Sequence, residues 1–239
     1  MSKSKTQATF SPKVAIVTGA GRGIGRATAI AFARHGMAVA LASRRPADLM
    51  AVEAEIQEIG GRALAVPTDV SVTAEVERLV EETDRTLGDI DVLVNNAGVV
   101  EPSPVVATSD ESWDRVLDVN LKGAFLCSRA VLPHMIERRR GRILNVSSIS
   151  GRLGTPQLAS YCASKWGLIG LTKAVAEETA PHNVQIVAVC PGSVATEMLT
   201  KGLPGAKPDM TPEAVASLLL YLATLAPDAM NGSAIDMFG

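Results

Sequence analysis

Tyr161 and Lys165 stand four residues apart in "SYCASKWG" (160–167), in a chain of 239 residues that has only two tyrosines. Residues i and i+4 share one helix face, so a phenol and an ammonium at this spacing point into the same space. Tyrosine's ordinary pKa, about 10, suits proton transfer at neutral pH poorly. A neighbouring ammonium favours the phenolate and is expected to lower it. A half-buried tyrosine beside a surface lysine has the same spacing, so the pair gains meaning only from its companions. Ser148 lies thirteen residues upstream of Tyr161, and Asn120 forty-one.

The second group with chemical meaning is "TGAGRGIGRA" (18–27), with glycines at 19, 23 and 25. It follows the first apolar strand and opens a helix. A pyrophosphate can approach a backbone without Cβ atoms there and meet the N–H groups and positive dipole end of the helix. The spacing is GxxxGxG rather than GxGxxG. At the end of the second strand, "LASRRPAD", Ser43 stands where NAD binders usually place an acid for the ribose 2′-hydroxyl. Arg44 and Arg45 follow, no acid occurs before Asp48, and Arg22 adds a cation from the glycine turn. Guanidinium pairs with phosphate in a planar fork, so this set favours NADP(H) over NAD(H). The plainer alternative is two solvated arginines at a strand end.

Elements that would position these residues alternate along the whole chain. Strands are expected at 13–18, 38–42, 62–70, 91–98, 142–148, 184–192 and 233–237. Helices are expected at 23–36, 46–60, 73–88, 112–139, 159–180 and 211–226. The strands are continuous apolar runs without period-2 alternation, the mark of a sheet covered on both faces. The fold class is therefore α/β: a Rossmann-type, doubly wound, parallel seven-stranded sheet in a three-layer α/β/α sandwich. No linker or composition break occurs, so 13–239 reads as one dinucleotide-binding and catalytic domain behind a flexible N-terminus, 1–12. The segments 99–111 and 193–210 are least regular, and the second is placed to form a substrate lid.

Composition narrows the function classes. Hydrophobic residues are 47% and charged residues 20%, a globular balance, and the net charge of −2 gives no general attraction to nucleic acid or an anionic membrane. Cys127, Cys162 and Cys190 are widely spaced and form no CxxC, and His35, His134 and His182 form no ligand pattern, so neither a disulfide framework nor a metal is expected. The start "MSKSKTQATFSPK" has no apolar signal region and no apolar run reaches the length of a membrane span, so a soluble cytoplasmic protein is expected. The basic run "ERRRGR" (137–142) reads as a solvated helix end, with docking of an acidic partner as the alternative.

From Lys13 to the C-terminus the sequence resembles the short-chain dehydrogenase/reductase family. The resemblance rests on "TGAGRGIG", "TDVS", "NNAG" (95–98), "DVNLKG", "NVSSISG", "YCASK" and "PGSVATEM", in order and at family spacing. It implies Tyr161 as general acid/base and Lys165 as binder of the nicotinamide ribose. It further implies Ser148 as hydrogen-bond partner of the substrate oxygen and Asn120 as holder of a water that links Lys165 to solvent. Ser147 is the neighbouring candidate, but spacing to Tyr161 favours Ser148. The implied cofactor set is Gly19, Gly21, Arg22, Gly23, Ile24 and Gly25 in the turn, Ser43 and Arg44 after the second strand, and Asp69 and Val70 near the adenine. Asn96, Ala97 and Gly98, the pair Tyr161 and Lys165, and Pro191, Gly192, Val194 and Thr196 near the nicotinamide complete it. Two places depart from the pattern: Val187 stands where many relatives carry Asn, and the VDGG-like ending reads "IDMFG".

The resemblance implies an NADP(H)-dependent carbonyl reductase or alcohol dehydrogenase, with no metal. The subclass it points to is a 3-oxoacyl-thioester reductase, with Arg129 and the 137–142 cluster facing an acidic acyl carrier protein. Sugar, steroid and other carbonyl or alcohol substrates are the alternatives within the family. A catalytically weak NADP(H) sensor or scaffold is the alternative outside it, and such proteins commonly lack the tyrosine or lysine present here. A homo-oligomer, dimer or tetramer, is expected through helices 112–139 and 159–180.

Overall fold

The computed structural model describes residues 10–238. Up to residue 9 the flexible segment expected at 1–12 lies outside them. Its last residues are packed: the Phe10 ring lies 4.6 Å from the guanidinium carbons of both Arg140 and Arg142, and Pro12 is buried.

In chain order the regular elements are β1 (Val14–Thr18), α1 (Gly23–Arg34), β2 (Ala38–Ser43), α2 (Pro46–Glu58), β3 (Ala63–Pro67), α3 (Thr73–Leu87) and β4 (Val92–Asn95). Then come α4 (Asp110–Leu117), a π-helical turn (Asp118–Lys122), α5 (Gly123–Glu137), β5 (Gly141–Val146), α6 (Ala159–Thr179), β6 (Val184–Pro191), α7 (Glu197–Gly202), α8 (Pro212–Thr224) and β7 (Ala234–Met237). The seven strands form one parallel sheet in the order β3-β2-β1-β4-β5-β6-β7. Strand order reverses between β1 and β4, which opens a crevice beyond their carboxyl ends.

The continuous apolar strands are buried on both faces, as expected. All five side chains of β1 are inside; Ala15 and Val17 join the core under α1, α2 and α8, and Val14 and Ile16 join the core under α3 and α5. With aromatics only 3% of the chain, small helix residues such as Ala29 and Ala33 let the layers approach closely around Phe32. Both tryptophans, Trp113 and Trp166, stay substantially exposed. Among the described residues no helix is long and apolar enough to cross a membrane.

Three expectations are corrected. The helix expected at 112–139 is two helices, α4 and α5, joined without a break by the π turn, in which Asn120 lies with 1% exposure; single π turns of this kind gather at functional sites. The irregular stretch 193–210 contains α7, capped by Thr196, whose Oγ1 accepts from Leu199 N at 3.3 Å. The run 137–142 is not a solvated helix end. Arg138 donates to Ile90 O at 2.5 Å, and Arg140 Nε donates to Asp91 Oδ1 at 2.9 Å. Asp91 Oδ2 also accepts from Lys13 N at 2.7 Å. Arg142, 6% exposed, donates to Leu222 O at 2.6 Å and Ala226 O at 2.9 Å. These guanidiniums satisfy carbonyls at the amino edge of the sheet and at the end of α8, where no regular backbone partner reaches them.

Arg142→Met keeps the apolar stem and strips two buried carbonyls of charged donors. It should cost about 2–3 kcal/mol in urea unfolding. A cost under about 0.5 kcal/mol, the surface-residue range, would restore the solvated reading.

Candidate active site

The crevice holds a cavity of about 650 Å³, within the range of small-molecule sites. One wall is the glycine turn. Gly19 (φ +65°) and Gly23 (φ +53°) adopt left-handed backbone, and a Cβ on Gly25 would stand 2.2 Å from Gly19 O. A Cβ on Gly19 would meet Asn96 Nδ2 at 2.8 Å. With glycine at 19, 21, 23 and 25 the turn leaves backbone open to the cavity beside the first amides of α1, and it fits a pyrophosphate. Asn96 braces it by donating to Thr18 O at 2.9 Å, while Thr18 Oγ1 accepts from the amides of Asn96 and Ala97 at 3.0 Å each.

The adenosine end is rimmed by charge. Ser43 and exposed Arg44 line the cavity beside Asp69 and Val70. Burial acts to raise the Asp69 pKa, but hydrogen bonds from the Ser71 hydroxyl (2.6 Å) and amide (2.9 Å), with the charges of Arg44 and Arg115, outweigh it and leave the carboxyl below its ordinary value. Arg45 pairs with Asp48 at 2.5 Å. Arg22 pairs across the mouth with Glu197 of α7. Arg45, read from the sequence with Arg44 as a phosphate cation, lines the cavity; sequence reasoning did not find Asp48, Glu197 and Met198 as lining residues. For Glu197 no local pattern exists, because the contact joins residues 175 apart.

At the other end, Tyr161 and Lys165 project from α6 into the cavity. Lys165 is 4% exposed, and its Nζ donates to Val146 O, the last carbonyl of β5, at 2.8 Å. Burial pulls its pKa down to about 8. Burial likewise pushes Tyr161 up to about 12, with the Ser148 hydroxyl opposing the rise. The expected lowering of the phenol by Lys165 is therefore reversed in this structure. The ammonium points at Val146 O and lies 5.6 Å from the centre of the Tyr161 ring, while desolvation of the phenolate dominates. The Tyr161 hydroxyl reaches Met198 Sδ of α7 at 3.9 Å.

The serines separate by their bonds. Ser147 Oγ donates to Lys165 O at 3.0 Å, so its proton is committed to α6. Ser148 Oγ accepts from Ser150 N at 3.1 Å, leaving its own proton to donate outward. Asn120 Oδ1 accepts from Val99 N at 2.7 Å, and its Nδ2 donates to Val99 O at 2.9 Å and Ser164 Oγ at 3.1 Å. It ties the loop after β4 to α6.

Most of the sequence-predicted set lines one cavity: Gly19 through Ile24 apart from Ala20, Ser43, Arg44, Asp69, Val70, Asn96, Ala97, Gly98, Tyr161, Lys165 and Thr196. Gly25, Asn120, Ser148, Pro191, Gly192 and Val194 stand outside that lining. Gly25 lies beneath the turn, Val194 belongs to the core, and Pro191 and Gly192 pair with Met237 of β7.

A parallel sheet with a glycine cradle at its switch point and a Tyr–Lys pair across the cavity defines an oxidoreductase of the short-chain type. The short chain dehydrogenase family model matches residues 13–205, and the chain belongs to this family. It is 44% identical over 224 residues to a 3-oxoacyl-(acyl-carrier-protein) reductase of Synechocystis sp., covering 89% of each chain. It is 38% identical over 243 residues to the short-chain reductase protein NovJ of Streptomyces niveus, covering 95% of this chain and 92% of the relative. Among solved structures, an actinorhodin polyketide ketoreductase with NADPH superposes with a TM-score of 0.90 at 32% identity, covering 95% of this chain and 96% of that one.

The buried lysine gives a pH test. Below about pH 8 Lys165 is protonated in both folded and unfolded chains, and the folded chain bears the cost of burying the charge. Between about 8 and the ordinary 10.5 the unfolded chain keeps a proton that the folded chain has released, so stability rises with pH. Lys165→Met should remove that rise, narrowing the gain from pH 7 to pH 9.5 by on the order of 2 kcal/mol in urea unfolding. Parallel curves for the two proteins would contradict a depressed lysine.

Proposed function

We propose that the protein is an NADPH-dependent reductase of 3-oxoacyl thioesters. The observation that carries the reading is the Tyr161–Lys165 pair at one end of a cavity, with the Ser148 hydroxyl against the Tyr161 phenol just outside its lining, and the Arg44-rimmed glycine turn at the other end. When bound, NADPH supplies a hydride to the carbonyl carbon. Tyr161, kept protonated by burial well past neutral pH, gives its proton to the carbonyl oxygen, and the product is the secondary alcohol. Ser148 donates a hydrogen bond to the same oxygen as negative charge builds there. Lys165, on the same helix face, holds the ribose side of the cofactor and is the nearest protonated group from which the phenolate is recharged.

The acyl substrate class is supported by the named relatives, two of which carry reductase or ketoreductase activity on oxoacyl or polyketide groups in their names. For NADP(H), Arg44 is the best-placed cation, since Arg22 and Arg45 are paired with carboxylates. For an acyl carrier protein, the exposed cation on α5 is Arg129, which stacks on Phe125 at 5.2 Å, whereas Arg138 and Arg140 are tied into the fold. Self-association through α5 and α6 is part of the proposal, with half-exposed Phe125 and Trp166 on these helices.

With acetoacetyl-N-acetylcysteamine as substrate, NADPH oxidation should be fast and NADH oxidation slow. Tyr161→Phe should lower kcat by about 100-fold or more. Arg44→Ala should raise KM for NADPH about tenfold while leaving that for NADH within about twofold. NADH preference in the unmodified protein, or turnover surviving Tyr161→Phe, would overturn the reading.

A further inference from the structure

We propose that Arg152 is a positioning residue that holds Ser148 in place by fastening its loop to the last strand. The inference rests on the reading of Ser148 as the donor to the substrate oxygen. Ser148 begins a three-residue 3-10 turn, Ile149–Gly151, and Arg152 closes it, donating its amide to Ile149 O at 2.8 Å. The Arg152 side chain then leaves the turn and grips β7 at two points. Nε donates to Asp236 Oδ1 at 2.8 Å, and Nη2 donates to Ala234 O at 2.7 Å. The turn is thereby anchored on one side to β6, through Ser147 N donating to Val189 O at 2.7 Å, and on the other to β7 by the two-point guanidinium clamp.

β7 also holds the segment that follows β6. Met237 O accepts from Gly192 N at 2.9 Å, which fixes the start of the segment after β6. The edge strand therefore sets the Ser148 turn and the Pro191–Gly192 turn against each other. Cys190, fully buried, lies between them within reach of Ser147 and Asp236. The ending "IDMFG" supplies this: Asp236 takes the clamp and Met237 the amide.

Magnitudes distinguish positioning from stability. The Arg152 and Asp236 side chains are 31% and 44% exposed, and an ion pair that open adds little to global stability. A displacement of about 1 Å in a catalytic group can cost about 100-fold in rate. The clamp should therefore register in kcat far more than in Tm.

The test compares Arg152→Ala, Arg152→Lys and Asp236→Asn, each alone and with Ser148→Ala. Arg152→Ala should lower kcat about tenfold with KM for NADPH within about twofold. Arg152→Lys, able to hold one acceptor, should fall between. In the Ser148→Ala background, Arg152→Ala should cost less than about twofold, because it acts through the missing hydroxyl. Amide exchange at Ser150 and Gly151, whose N–H groups bond to Ser148, should accelerate about tenfold in Arg152→Ala. Equal losses in both backgrounds, or unchanged kcat and exchange, would overturn the proposal. If Arg152→Ala does not fold, Asp236→Asn carries the same comparison. If turnover survives Tyr161→Phe the functional reading falls instead, and amide exchange alone then decides whether Arg152 holds the turn.

Discussion

A charged amine is buried where a parallel sheet ends. Lys165 can occupy that place because Val146 O, the last carbonyl of β5, has no strand partner beyond it and accepts the ammonium at 2.8 Å. The alignment of β4, β5 and β6 fixes where that carbonyl lies. Around it, Ser147 ties α6 to the strand end, Ser148 starts the turn that follows, and Tyr161 sits one helical turn back on the same face. Move the strand end and all four groups move together. The cost is a lysine whose proton is held weakly, and the return is a mobile proton beside a phenol that burial keeps protonated.

The second half of the site depends on the same sheet. Reversal of strand order between β1 and β4 leaves a crevice, and the turn that lines it requires glycine at 19 and 25, where a Cβ would meet Asn96 Nδ2 and Gly19 O. The glycine turn and the Tyr161–Lys165 pair therefore face each other across one cavity. α7 spans the gap: Glu197 meets Arg22 of the glycine turn, and the adjacent Met198 meets Tyr161. One short helix thus touches both halves.

What the sequence made legible follows the range of the physics. The glycine turn is a local steric requirement, and the four-residue step from Tyr161 to Lys165 is helix geometry, so both could be read from neighbouring letters. The buried strands announced the covered sheet, and all seven occur. Long-range partners left no local mark. Nothing in "ERRRGR" says that its arginines will find Asp91, Leu222 O and Ala226 O, and nothing in "PGSVATEM" says that Glu197 will meet Arg22. The Tyr161 pKa moves opposite to the direction its spacing from Lys165 predicts, for a related reason. Spacing brought the ammonium near, but burial and the pull of Val146 O decide where its charge is felt. "IDMFG" looked like a departure from the family ending, yet in the fold its Asp236 and Met237 hold two loops.

The central claim is that this cleft passes a hydride to a carbonyl carbon whose oxygen lies between Tyr161 and Ser148. Its most direct test uses NADPH carrying deuterium at the transferable C4 position, a 3-oxoacyl thioester, and mass analysis of the product. The account predicts a 3-hydroxyacyl thioester with one deuterium, bound to C3. Product with an unlabelled C3, or no product while the deuterium stays on the cofactor, would contradict it.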